Sequence, residues 1–507
     1  MFITELKKEV ARSTVQLTEN GALGFSQTGK ALLDMNFRVS SYRNLDEDKI
    51  FSDFMKAFNE NEIMTMRWLF YVRDIRGGLG ERRLFRVITE KMTLENSEMM
   101  EKVLGLISEF GRWDDVLVFM GTPIENKVKI LIAKQLKEDI ENMKKGESIS
   151  LLAKWMPSIN GSNKERKITA TKLAKSFGMD QRTYRKTLSE LRAYLDIVER
   201  KMTTKRWGDI EYSGVPSRAN LLYNKAFLRN DEERRREFLG KVEKGEKEIH
   251  SATNFPHDIV HKYMSYKAKD QTLEELWKAL PNYGEDMVNT LVVADGSGSM
   301  TCTTVGNTKI LPLSVANALA IYFAEHCVGG FNNTYITFSE TPQIVSLGKG
   351  TLYSKLKIAQ SHNEVANTNI EAVFNLILST AKSAGMKQEE LPATILIISD
   401  MEFDNCTNST GYYGSRTGFK TPNKTLFAEL ANRYANAEYK LPKLAFWNIM
   451  SRTMTIPVIE NEAGVTLISG FSPTSINMVL AGEADPYKAL EKVLMNERYD
   501  VVEEAIS

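Results

Sequence analysis

Two regimes of hydrophobic patterning divide the chain. From about residue 46 to about residue 265, apolar side chains recur at spacings of three and four, as in IFSDFMKAF (Ile50 to Phe58), MRWLFYVRDI (Met66 to Ile75), EMMEKVLGLISEF (Glu98 to Phe110) and KVKILIAKQLKEDIENM (Lys127 to Met143). That period places them on one face of a helix, so this half is predicted to be helical. Short breaks at RGGLGE (Arg76 to Glu81), GRWDD (Gly111 to Asp115) and GTP (Gly121 to Pro123) separate the helices. Helix pairs joined by short turns suggest an α-solenoid or a bundle, although no strict sequence period marks a repeat.

After Pro281 the pattern changes to short apolar runs alternating with amphipathic ones. Strands are predicted at Asn289 to Asp295, Asn333 to Ser339, Pro342 to Leu347, Ala393 to Asp400, Lys443 to Met450 and Val465 to Phe471. Helices are predicted at Pro312 to Cys327, Asn369 to Gly385, Lys424 to Tyr439 and Pro486 to Tyr499. Continuous apolar strands alternating with helices predict a doubly wound parallel sheet covered on both faces. The expected fold class is therefore α plus α/β: a helical domain over 1–275, an α/β domain over 285–480, and a terminal helix over 484–507, expected to cross back to the helical part. In such sheets ligands bind at the carboxyl ends of the strands.

Both of the most apolar strands end in aspartate, at Asp295 and Asp400. In a doubly wound sheet they are expected to be neighbours, and two bare carboxylates would repel unless a cation lay between them. LVVADGSGSM (Leu291 to Met300) adds Ser297 and Ser299 at alternate positions, with Gly296 and Gly298 permitting a tight backbone. These hard oxygen donors suit magnesium, calcium or manganese rather than zinc. Glu402 and Asp404 follow closely, either as outer support for the cation or as surface charge.

Charge refines the division. The whole chain carries +1, but residues 1 to 150 carry 23 Lys+Arg against 24 Asp+Glu, residues 151 to 270 carry 26 against 16, and residues 271 to 507 carry 17 against 25. Any footprint for a polyanion therefore lies in the middle segment. There Arg166, Lys167, Lys172, Lys175, Arg182, Arg185, Lys186, Arg192, Lys205 and Arg206 are interleaved with Tyr184, Tyr194 and Trp207. Phosphate partners mixed with stacking platforms are what single-stranded nucleic acid favours, and a solvated helix surface is the plain alternative. Hydrophobic content of 42% and charged content of 26% are those of a soluble globular protein. Neither a membrane-length apolar run nor a signal-like N-terminus is evident, so a cytoplasmic location is expected, and the chain is expected to be a monomer. The three cysteines are too scattered for a disulfide framework or a zinc knuckle.

The run Asp295-Gly296-Ser297-Gly298-Ser299 resembles the DxSxS motif of von Willebrand factor A domains, where it forms the metal-ion-dependent adhesion site. That resemblance implies two further contributions, Thr368 before a helix (with Asn367 where a glycine is common) and Asp400 after the fourth strand. It also implies an open coordination position for a partner's carboxylate. Magnesium wants six oxygens, so Asp295, Ser297, Ser299, Thr368 and Asp400 leave a vacancy in the shell. ENGALGFSQTGKALLDMNFR (Glu19 to Arg38), YVRDIRGGLGERR (Tyr71 to Arg83), LLAKWMPS (Leu151 to Ser158), YRKTLSELRAYLDIVERKM (Tyr184 to Met202) and VPSRANLLYNKAF (Val215 to Phe227) look like a phage, bacterial and plant family related to the Ro autoantigen, or TROVE, group. Ro proteins set a ring of HEAT-like helical repeats on a von Willebrand A domain and bind misfolded and small structured RNAs. The resemblance thus implies a helical ring or arch and RNA binding, although no Ro RNA-contact motif aligns here.

The expected function is sequence-tolerant RNA binding on the basic helical surface, with a magnesium, calcium or manganese site that takes a protein partner's carboxylate or fixes the domain. The alternative is a metal-dependent protein-interaction or assembly module without RNA. His250, His257 and His261 lack a matching metal motif, GGLGE lacks the ending of a phosphate-binding loop, and Ser297 lacks the surroundings of a nucleophile. No enzyme is expected.

Overall fold

The computed structural model describes residues 15–18, 23–264, 266, 268–306, 308–338, 341–363, 369–402, 430–457, 464–483 and 485–507. The chain forms two compact units, each assembled from separated segments: Met1–Thr65 with Ser251–Asn496, and Met66–His250 with Glu497–Ser507. No helix among the described residues is long and apolar enough to cross a membrane.

The first unit holds a two-stranded antiparallel ribbon, β1 (Val15–Leu17) and β2 (Leu23–Phe25). It also holds a six-stranded sheet of β3 (Thr290–Asp295), β4 (Thr334–Phe338), β5 (Ile344–Ser346), β6 (Thr394–Ser399), β7 (Lys443–Asn448) and β8 (Val465–Ser469). Their order is β5-β4-β3-β6-β7-β8. All neighbours pair in parallel except β5, which runs antiparallel to β4. The sheet is therefore mixed, where the patterning predicted parallel strands throughout. Only five residues join β4 to β5, and a parallel crossover needs a dozen or more.

Strands β3 and β8 are buried at every residue, and β6 and β7 at all but their first. The helix Pro312–His326 opens with proline, where the missing N–H costs nothing, and is buried along most of its length against β3, β4 and β6. The helix Ile370–Ala384 ends at Gly385, whose left-handed φ of 59° suits glycine. Of the predicted helix Lys424 to Tyr439, residues 430–436 are helical and the earlier part lies outside the described residues.

The boundary expected between 275 and 285 falls inside this unit. Trp277 Nε1 donates to Glu325 Oε2 at 2.8 Å, the Glu274 carboxylate accepts the Leu352 and Tyr353 N–H groups at 2.8 and 3.0 Å, and the His257 ring packs edge-on against Phe471. The sheet also reaches back to the N-terminal segment. Asn448 Nδ2 donates to Phe37 O at 2.8 Å, the Ser40 N–H donates to Ser469 Oγ at 3.1 Å, and Phe25 and Ile456 exchange both backbone hydrogen bonds. β8 is an edge strand, and this segment covers what would otherwise be an exposed ladder.

The second unit is helical, with no strand among its described residues. The chain's end belongs to it: Arg67 donates to Asp500 at 2.7 Å and Glu503 at 2.6 Å, and the Tyr499 ring stacks on Phe110.

Candidate functional site

Chain order places a switch point in the sheet. From β3 the chain moves to β4 and β5 on one side, then crosses to β6 on the other. A crevice at the carboxyl ends of β3 and β6 follows from that reversal, and it is where α/β sheets hold ligands. Asp295 ends β3 and Asp400 follows β6, and each is only 1% exposed. The Ser399 hydroxyl donates to Asp295 Oδ2 at 2.6 Å and accepts the Met401 N–H at 3.0 Å, tying the two strand ends together. Met401 has a left-handed φ of 64°, uncommon for a side chain of its size and a mark of a tightly constrained turn.

The glycine-serine loop turns back on Asp295. The Ser297 N–H donates to Asp295 Oδ1 at 2.9 Å, and the Ser297 and Ser299 hydroxyls lie 2.8 Å apart. The Arg452 guanidinium reaches the same edge, with Nη2 3.4 Å from Asp400 Oδ2 and Nη1 3.4 Å from Ser299 O, both at the long limit of a hydrogen bond. Burial and the neighbouring Asp295 charge push the Asp400 carboxyl from 3.8 up to about 7, with Arg452 and the Ser299 hydroxyl pulling the other way. Thr368, and Asp404 beyond the second aspartate, lie outside the described residues.

This donor set fits a hard divalent cation. Every group is an oxygen, and the Arg452 guanidinium reaches Asp400 only at 3.4 Å. Neighbouring ligands on an octahedron with metal–oxygen distances of about 2.1 Å lie about 3 Å apart, close to the separation of the two serine hydroxyls. Among the described residues no three His, Cys, Asp or Glu side chains gather as a metal site, so a cation here would rely on hydroxyls beside the two carboxylates.

Glu402 is no surface charge. It is 1% exposed, and its Oε1 accepts the Arg452 and Thr453 N–H groups at 2.7 and 2.9 Å and the Ser451 and Thr453 hydroxyls at 3.1 Å. It clamps the loop after β7 and so aims Arg452. Sequence reasoning passed over Arg452. The available signal was its place just beyond the carboxyl end of a third parallel strand.

In the second unit, the helix Lys164–Ser176 is capped by Asn163 and the helix Gln181–Tyr194 by Asp180. Ala170, Leu173 and Ala174 face inward on the first, and Tyr184, Leu188 and Leu191 on the second. Arg166, Lys167, Lys172, Lys175, Arg182, Arg185 and Lys186 are exposed, as are Lys205 and Arg206. Lys167, Lys172, Lys175, Arg182, Arg185 and Lys205 make no ion pair among the described residues. Lys186 faces Glu190 at 3.7 Å, and Arg206 pairs with Asp209 at 3.1 Å and Asp196 at 3.5 Å.

Arg192 is different. Its guanidinium donates to Ala153 O at 2.7 Å, Met156 O at 2.8 Å and Ser158 Oγ at 2.8 Å, so it holds backbone rather than facing solvent. Tyr184 is 1% exposed with its hydroxyl on Pro157 O, a core residue and no stacking platform. Tyr194 is 39% exposed. A cavity of about 630 Å³ opens here, lined by Tyr184, Arg185, Arg192, Glu199 and Arg200 among others.

A further polar cavity, of about 780 Å³, lies in the first unit and includes Asp34, Arg38, Tyr42, Lys49, Asp53 and Lys56. Helical periodicity gave no hint of it, because its lining brings together residues far apart along the chain, from Gln16 and Ser26 to Thr453.

Residues 289–505 match the family model described as Domain of unknown function (DUF7788), and residues 162–291 that described as Domain of unknown function (DUF2828). The chain is similar in structure to the Deinococcus radiodurans Ro (RSR) protein, with a TM-score of 0.44, 11% identity, and 89% of this chain and 93% of that chain covered. It is 30% identical over 526 residues to the uncharacterized protein L728 of Acanthamoeba polyphaga mimivirus, covering 95% of this chain and 87% of that protein. Identity at that level over nearly its whole length means that the chain belongs to the family of the mimivirus protein L728.

Proposed function

We propose that the protein is a non-catalytic, Ro-like RNA-binding protein that grips single-stranded or structured RNA without reading its sequence. The observation that carries this reading is the exposed cationic face of the helices Lys164–Ser176 and Gln181–Tyr194, where Arg182, Arg185 and Lys186 are exposed and Arg185 also lines the 630 Å³ cavity. Exposed cations on a rigid helix, Arg182 and Arg185 without an ion pair among the described residues and Lys186 only loosely held by Glu190 at 3.7 Å, hold phosphates at fixed positions and leave the bases unread. The α/β unit, in this reading a von Willebrand A-type domain, would hold magnesium, calcium or manganese through Asp295, Ser297, Ser299 and Asp400, together with Thr368. The cation would supply a coordination position for a partner's carboxylate.

Fluorescence anisotropy with a labelled single-stranded oligoribonucleotide tests the RNA reading on the full chain. Binding that tolerates changes of sequence and weakens steeply with salt is expected. Absent or salt-independent binding refutes it.

A second reading, a cation-dependent protein-interaction module without RNA, is favoured by the two buried carboxylates at the sheet edge. Under it, Asp295→Ala abolishes partner capture while reversal of Arg182, Arg185 and Lys186 leaves it unchanged.

A further inference from the structure

The turn RGGLGE and the segment GRWDD meet in the second unit to build a cluster that neither the cation site nor the basic helices use. After the helix Glu62–Arg73 the chain folds back on itself, with the Leu79 N–H on Tyr71 O, the Gly80 N–H on Asp74 O and the Glu81 N–H on Val72 O. A Cβ at Gly78 would lie 1.9 Å from Tyr71 O, so only glycine allows this approach. The turn delivers Arg82 and Arg86, at the start of the helix Arg82–Glu95, to Asp114 and Asp115.

The two aspartates organise four arginines. Asp115, which is wholly buried, takes Arg73 at 2.7 and 2.9 Å through Oδ2, and Arg82 at 3.1 Å and Arg86 at 2.5 Å through Oδ1. Three guanidiniums then converge on one further oxygen, Asp114 Oδ2: Arg82 by its Nη2, Arg86 at 3.3 Å and Arg112 at 3.5 Å. Arg112 also sits over the Trp155 ring, its Cζ 4.0 Å from the ring centre. A Cβ at Gly111 would come within 2.7 Å of Asp115 Oδ2 and 3.1 Å of Arg73 Nε, so this close packing also needs glycine.

Four guanidiniums face two carboxylates, a surplus of two positive charges. Arg82, Arg86 and Arg112 remain 39%, 29% and 30% exposed at their side chains. Each uses Nε and Nη2 on the aspartates or the Asp114 carbonyl, and each leaves Nη1 without an acceptor among the described residues. Burial lowers the Arg112 pKa, and repulsion from Arg82 and Arg73 adds to that effect while the aspartates oppose it.

We propose that Arg82, Arg86 and Arg112 form a binding site for a phosphate dianion, either free orthophosphate or the phosphomonoester of a small molecule. The three Nη1 groups, partly exposed and held beside one another by the shared aspartates, are the donors left for the oxygens of such a group, and its charge of about −2 equals the surplus. A fixed cluster of this kind needs little rearrangement on binding, because Asp114, Asp115 and the Trp155 ring already hold the guanidiniums in place.

The test is the melting temperature of the full chain titrated with orthophosphate, with a nucleoside monophosphate and with a sugar phosphate, against chloride at matched ionic strength. Saturable stabilisation is expected, reaching roughly 5 °C at a ligand concentration about a hundredfold above the dissociation constant. If the nucleoside monophosphate alone binds tighter than orthophosphate, the source is a nucleotide; if all three bind alike, it is the phosphate group itself. Arg112→Gln should abolish the response. Arg82→Lys keeps the charge but loses the Nη1 donors, and should weaken binding about tenfold while the circular dichroism shows the fold retained, the ligand-free melting temperature falling because Asp114 and Asp115 lose a partner. Equal stabilisation by chloride, unaltered binding by Arg82→Lys, or a preference for a phosphopeptide over every small phosphate would each overturn the proposal.

Discussion

Reversing Arg182, Arg185 and Lys186 to glutamate gives the RNA reading its sharpest quantitative form. All three are exposed on the helix Gln181–Tyr194, and the side chains that anchor that helix, Tyr184, Leu188 and Leu191, are untouched. Glutamate is as good a helix former as the residues it replaces, and the one ion pair lost, Lys186 with Glu190 at 3.7 Å, is an exposed pair worth about 0.5 kcal/mol or less. The fold should therefore persist. Each phosphate neutralised on a single strand contributes about 0.7 to the slope of log affinity against log salt, so three contacts contribute about 2. Between about 50 and about 200 mM salt these contacts alone account for a loss of roughly 20-fold in affinity. Anisotropy titrations across that range should show the variant's slope shallower by about 2, with weaker binding at low salt and convergence with the wild type at high salt. A variant with the wild-type slope would place the phosphates elsewhere and refute the assignment of this face.

Other perturbations test separate parts of the structure. Arg192→Ala removes three hydrogen bonds to groups at 153–158, so it should destabilise the second unit by roughly 2–4 kcal/mol in denaturant unfolding while changing the salt slope of RNA binding by less than one contact. Burial pushes the Asp34 carboxyl from 3.8 up to about 6, with Arg38 and Thr28 opposing. As pH rises through that window the unfolded chain ionises first, and the folded state loses stability by up to about 3 kcal/mol. Asp34→Asn keeps the oxygen that accepts from the Thr28 N–H at 2.7 Å and its hydroxyl at 2.6 Å, so it should raise the melting temperature at pH 7 and leave it unchanged near pH 4; a pH-independent difference would contradict this. Millimolar magnesium should raise the melting temperature of the wild-type chain, by the equivalent of about 2.7 kcal/mol at a hundredfold excess over the dissociation constant, and do nothing for Asp295→Ala. Gly78→Ala should cost several kcal/mol, because its Cβ would collide with the Tyr71 carbonyl rather than with a movable side chain.

What was legible in the sequence was local. Apolar runs marked the six strands of the main sheet, and the rule that parallel strands present ligands at their carboxyl ends put Asp295 and Asp400 side by side. Periodicity speaks only of neighbours along the chain, so it could not show that residues 251–278 and 31–43 pack with the sheet. The chain changes from helix to alternating strand near 281, but packing changes elsewhere, where Trp277 finds Glu325 and Ser40 finds Ser469. Charge misleads for the same reason. A run of arginines reads as one surface, yet Arg192 binds carbonyls and Arg182 faces solvent, ten positions apart on one helix. Conversely, residues 1 to 150 are nearly neutral by count, and that balance hides the surplus at Arg73, Arg82, Arg86 and Arg112. Net charge sums over a segment, whereas a ligand meets only the groups that tertiary structure brings within a few ångströms, and the screening length of about 8 Å keeps the two descriptions apart.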